Sequence, residues 1–134
     1  MLHSTKQFKV IVASVLAAAC LAVPTAAYTS MGRGVNYEVS TAYPNWNNKG
    51  DSAWLLTQRS KCNFKATSTN STSRATFTLM QWTVFDKAIS SWAGVSSVDS
   101  DLSSAVMEAD DYYAKVALTT GSKMEGTVTF SVKS

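Results

Sequence analysis

Residues 112–133 read YYAKVALTTGSKMEGTVTFSVK. Tyr112, Ala114, Val116 and Leu118 alternate with Tyr113, Lys115, Ala117 and Thr119. Val128, Phe130 and Val132 alternate in the same way with Thr127, Thr129 and Ser131. A period of two sends successive side chains to opposite faces of a strand, so each run reads as one half-buried strand. Gly121 and Gly126 bound the segment between them. Two such runs around a short, glycine-bounded loop predict a β-hairpin.

The same period recurs upstream. Val35, Tyr37, Val39, Thr41 and Tyr43 alternate with polar or small residues, which predicts a strand. In AWLLTQRSKCNFKAT one register covers the whole stretch. Trp54, Leu56, Cys62, Phe64 and Ala66 share the inward side, while Arg59, Lys61 and Lys65 lie on the other. This predicts one long strand, or two strands broken around Gln58 to Ser60. Residues 75–85, ATFTLMQWTVF, carry bulk on both faces and predict a covered strand. DKAISSWAG at 86–94 fits a short helix capped by Asp86, a strand or an ordered loop. In SDLSSAVMEADD, Leu102, Ala105, Val106 and Ala109 fall at helical spacing behind a cap at Ser100 or Asp101, which predicts a helix. These elements predict an all-β fold: a small antiparallel β-sandwich or barrel of five or six strands, with at most one or two short helices.

The N-terminus is MLHSTKQFKVIVASVLAAACLAVPTAAY. Lys6 and Lys9 precede an uncharged apolar run from Val10 to Val23, and Thr25 and Ala27 place small residues before Tyr28. That is the pattern of a secretory signal peptide cleaved after Ala27. The apolar run is short for a membrane span. Lipid attachment at Cys20 is disfavoured, because Leu21, Ala22 and Val23 continue the apolar region past it. The expected organisation is a signal peptide over 1–27 and one extracellular β-rich domain over 28–134, secreted and either free or wall-associated, with no stable membrane span. A bacterial host is favoured. Asn70-Ser71-Thr72 matches a glycosylation acceptor only in a eukaryotic one.

Loss of the leader narrows the chemistry. The chain has twelve Lys and Arg against nine Asp and Glu. Two of the twelve, Lys6 and Lys9, leave with the signal, so the domain is nearly neutral and lacks the basic surface of a nucleic-acid binder. His3 is the one histidine, and it leaves too. Cys62 becomes the sole cysteine, with no partner for an internal disulfide. No Ser–His or Cys–His pair and no Cys/His zinc site can form. Asp110 and Asp111 are adjacent and face apart, and no other carboxylate pair is marked out for glycoside hydrolysis. The expectation is a non-enzyme with no catalytic residue, cofactor or metal. The inward register of Cys62 predicts a buried thiol and a monomer rather than a Cys62-linked dimer.

The candidate binding residues lie in the loop YPNWNNKGDSAW. Tyr43 and Trp46 offer ring faces, and Asn45 and Asn47 offer amides beside them, the combination that stacks on a sugar and reads its hydroxyls. Trp54 is claimed by the inward register. The loop's resemblance to a calcium site fails, since Lys49 and Leu56 stand where oxygen ligands belong. The function predicted is a secreted, non-catalytic binding module for a cell-surface glycan or protein. The alternative is a secreted antimicrobial or toxin-like protein acting on membranes or competitors, supported by small size and the cationic side of residues 59–65. That side, with Arg74 beyond it, and the acidic residues Asp99, Asp101, Glu108, Asp110 and Asp111 either face each other or face water.

Overall fold

The computed structural model describes residues 29–133 except 51, 70, 71, 105 and 106. The leader with His3 and Cys20, and the acceptor Asn70, lie outside the described residues. Nine strands follow in order: β1 Gly34–Ser40, β2 Asn45–Asn47, β3 Trp54–Leu56, β4 Cys62–Ala66, β5 Arg74–Trp82, β6 Lys87–Val95, β7 Val98–Leu102, β8 Asp110–Thr120 and β9 Lys123–Val132. One sheet has the order β1-β9-β4-β7, and the other β2-β8-β5-β6 with β3 also on β8. All the named pairings are antiparallel. The fold is the expected all-β sandwich, with more strands than expected and no helix among the described residues.

The 112–133 stretch departs from its reading. Both runs are strands, but β8 lies in one sheet and β9 in the other, so they do not form a hairpin. β8 finds its partner in β5, and β9 lies between β1 and β4. The link at Gly121 and Ser122 is therefore a corner between sheets. Gly121 has φ +94°, the left-handed region that glycine enters without steric cost. A Cβ there would sit 2.8 Å from Ser73 Cβ and 2.9 Å from Ser73 Cα. Ser73 is buried and donates to Lys123 O at 2.6 Å, which pins β5 to the start of β9.

Other readings change for similar reasons. Residues 54–66 form two strands in opposite sheets, and the even register still buries Trp54, Leu56, Cys62, Phe64 and Ala66. The predicted helix at 100–109 is replaced at its start by β7. Ladder pairing of Val98–Leu102 with β4 outweighs the weak helical preference of a serine-rich segment. Residues 87–95 are a strand, β6, paired on β5 across register shifts. β5 stops at Trp82, and Val84 and Phe85 turn outward in the bend, 54% and 88% exposed. The 44–52 loop contains β2. The buried Asn48 fills the gap between β2 and β3 along β8: its Oδ1 accepts from Ala114 N at 2.7 Å and its Nδ2 donates to Ser52 O at 2.8 Å.

The core lies between the sheets. Trp54, Tyr112, Phe64, Phe77 and Phe130 are its largest fully buried side chains, each worth roughly 1.5–3 kcal/mol of transfer free energy. Trp54 Nε1 donates to Arg33 O and Tyr112 OH to Glu108 O, so the buried polar ends are satisfied. Cys62 is fully buried, and burial pushes its thiol up to about 11.

Two outcomes are expected. Gly121→Ala lowers unfolding free energy by about 2–4 kcal/mol through positive φ and the Ser73 overlap, read by urea denaturation. In the native protein, iodoacetamide at pH 8 leaves the Cys62 peptide unlabelled, and labelling appears only with denaturant.

Candidate functional site

The sequence brings β1 to the open edge of its sheet and β2 to the edge of the other. Residues 41–44 carry the chain across. Ser40 closes the bend twice: its N–H donates to Tyr43 O at 3.0 Å, and its Oγ accepts from Tyr43 N at 3.2 Å. Leu118 N then donates to Pro44 O at 2.8 Å and seats β2 on β8. The crossing leaves an open groove of about 930 Å³ along β1.

Its aromatic wall grows out of the core. Phe77 meets Tyr37 edge-on at 5.6 Å, and Tyr37 meets the Trp46 ring at 6.0 Å. Trp46 is half-buried, and Tyr43 beyond it is 77% exposed. Tyr37 OH donates to Thr67 O at 2.7 Å. Burial, partly offset by a hydrogen bond with Ser68, pushes its hydroxyl up to about 12, so it stays protonated at neutral pH. Gly126 lies across the ladder from Tyr37. A Cβ there would come 2.7 Å from Thr67 C and 2.9 Å from Ser68 Cα, so only glycine lets that segment cross the groove floor.

The polar wall comes from β1 and β9. Asn36, Glu38 and Ser40 line it with Glu125, Thr127 and Thr69. Thr127 Oγ1 donates to Asn36 Oδ1 at 3.0 Å. Glu38 and Glu125 stand directly opposite each other in the β1–β9 register, and Lys123 Nζ bridges them at 3.2 and 3.4 Å. The acid pair escaped the sequence reading because its members come from opposite ends of the domain. Only the strand register juxtaposes them. A glycosidase pair needs one carboxyl protonated as general acid, which burial provides elsewhere. Here both groups are exposed and share one ammonium, without the burial such a pair uses.

Of the four residues singled out from the sequence, the structure brings Tyr43 and Trp46 to the groove. Asn45 and Asn47 fall on the opposite face of β2: Trp46 pairs with the buried Val116, whereas Asn45 and Asn47 pair with Ala117 and Lys115. Asn47 Oδ1 accepts from Lys49 N at 2.9 Å. Among the described residues no group of three or more His, Cys, Asp or Glu is arranged to hold a metal.

The cationic and acidic segments face each other. Lys65 pairs with Asp99 in the β4–β7 register, and Asn63 Nδ2 donates to Asp99 and Asp101 at 2.9 Å each. Lys133 pairs with Asp101, and Arg59 lies 3.8 Å from Glu108. A second charged cluster ties the β2–β3 loop to the β5–β6 bend. Asp86 Oδ2 accepts from Lys49 Nζ at 2.6 Å and from Tyr113 OH at 2.7 Å, and Lys49 lies over the Trp82 and Tyr113 rings. Burial opposes ionisation of Asp86. Hydrogen bonds from Lys49, Tyr113 and the Thr83 N–H, with the Lys49 charge, outweigh it and hold the carboxyl below its ordinary value.

The fold and groove define a small two-sheet β-sandwich domain with one polar-aromatic concavity among those described. The pre-peptidase C-terminal domain of a collagenase from Bacillus anthracis is similar, with a TM-score of 0.60 at 6% identity, over 78% of this chain and 92% of that one. A periplasmic lysozyme inhibitor of g-type lysozyme from Aeromonas hydrophila gives a TM-score of 0.40 at 11% identity, over 80% of this chain and 98% of that one. The first likeness establishes a shared fold, and the second is too loose to add to it. No family model matches the chain, and no curated protein sequence does.

A carboxyl held low in the folded state contributes stability above its unfolded pKa and loses it as pH falls through the folded value. Asp86→Asn is therefore expected to cost about 1–2 kcal/mol at pH 7. The gap to wild type narrows as the pH drops below the ordinary carboxylate range, measured by urea denaturation across pH.

Proposed function

We propose that the domain is a secreted, non-catalytic binding module that takes cell-surface carbohydrate in the groove along β1. The observation that carries this reading is the position of Tyr43. It is 77% exposed and held by its bend, in a groove it shares with the half-buried Trp46 and with Asn36, Ser40, Thr69 and Thr127. An exposed ring has no folding role to explain it, and a ring beside amides and hydroxyls suits a sugar, which offers an apolar ring face and equatorial hydroxyls. The groove's volume falls within the range of small-ligand sites, enough for a short oligosaccharide. Secretion rests on the leader-like pattern of residues 1–27. The ion pairs of Lys133 and Arg59, with Lys65 set opposite Asp99 in the ladder, favour this reading over action on membranes, which draws on unneutralised basic surface.

The test is affinity electrophoresis through wall polysaccharide, backed by a glycan array. Wild type is expected to be retarded, and Tyr43→Ala to lose about tenfold or more in affinity, equal to about 1.4 kcal/mol. Its exposure makes that variant free of folding cost. Asn45→Ala and Asn47→Ala leave retardation unchanged, because they face the other side of β2. Unretarded wild type, or retardation that survives Tyr43→Ala, overturns the reading.

A further inference from the structure

The ionisable side chains lining the groove are acids and tyrosines, and no lysine or arginine lines it. Glu38 and Glu125 are cross-strand neighbours, and like charges placed directly opposite repel. Lys123 relieves this from outside the lining, on the same face of β9 two residues from Glu125. Its distances of 3.2 and 3.4 Å exceed those of a tight charge-assisted bond, and its side chain is 55% exposed. One ammonium against two carboxylates leaves the polar wall net negative. The aromatic wall points to the same sign, since the faces of Tyr43 and Trp46 attract cations.

We propose that the groove selects carbohydrate by charge, accepting amino sugars whose ammonium sits between Glu38 and Glu125 and turning polyuronates away. This rests on the carbohydrate reading above. Glu38 and Glu125 are then specificity-determining residues, and Tyr43 the residue that supports binding of any sugar. A uronate would face two carboxylates with no lining cation to meet it. An N-acetylated sugar would keep the ring contact and lose the ammonium. A ligand ammonium would add a second positive charge to a pair of carboxylates that shares only one.

The experiment titrates the full chain by calorimetry with three oligosaccharide probes of matched length: β-1,4-linked glucosamine, its N-acetylated counterpart and a galacturonate. The expected order is glucosamine over N-acetylglucosamine by about fivefold at low salt, with galacturonate weakest. The spread closes at high ionic strength, where exposed charges are screened. The double variant Glu38→Gln, Glu125→Gln removes the order, and its far-UV circular dichroism and urea midpoint report that the fold is intact. Equal affinities in wild type, tighter binding of galacturonate, or an order that persists in the double variant overturns charge selection and leaves the carbohydrate reading standing. Wild type that binds none of the three overturns both.

Discussion

The rings of Trp54, Tyr112 and Phe130 meet between the two sheets, and the rest of the molecule depends on that contact. Phe130 stands 5.9 Å from Trp54 and 5.2 Å from Tyr112. Trp54 and Tyr112 belong to one sheet and Phe130 to the other, so their burial joins layers that share few backbone hydrogen bonds. Phe64 and Trp92 stack across the sandwich in the same way, 5.1 Å apart and nearly parallel. Each sheet hides one face only against the other, which is why alternation along the strands is so regular.

That constraint also makes the groove. The chain keeps crossing between layers, and only the β2–β3 and β5–β6 steps stay in one sheet. Where β1 hands over to β2, two edge strands from different sheets lie side by side. The series Phe77, Tyr37, Trp46 runs from the sealed core to the rim, so the groove's aromatic wall is an extension of the packing. Trp46 is anchored by the core it covers, whereas Tyr43 is anchored only by the Ser40 bend. The bend fixes the Tyr43 backbone and leaves the ring in water.

Electrostatics follows the same pairing logic. The ladder that joins β7 to β4 sets Lys65 opposite Asp99, and Lys133 reaches Asp101 on β7 from beyond the end of β9. Surface ion pairs of this kind add little stability. Their effect is on the field, since they leave the outer face of that sheet close to neutral. The groove is the exception, because β1 and β9 place carboxylate opposite carboxylate there.

The sequence by itself determined the strongly alternating strands and the face each shows. The even register from Trp54 to Ala66, the two terminal runs and the burial of Cys62 were all legible, because period-two alternation is a local record of one-sided burial. The aromatic character of the 43–46 segment was legible too. Serine-rich segments were not: residues 98–102 and 87–95 have weak local preferences, and pairing with β4 and β5 decided them. Pairing itself was also invisible. Gly121 marked a turn, but a turn's residues do not say whether the next strand lies beside the last or across from it. Only the tertiary structure decided that β8 and β9 part company, that Asn45 and Asn47 face away from Trp46, and that Glu38 meets Glu125. The physical reason is that alternation fixes a strand's faces, whereas its neighbours are chosen by competition among all strands for hydrogen-bonded edges and a shared core.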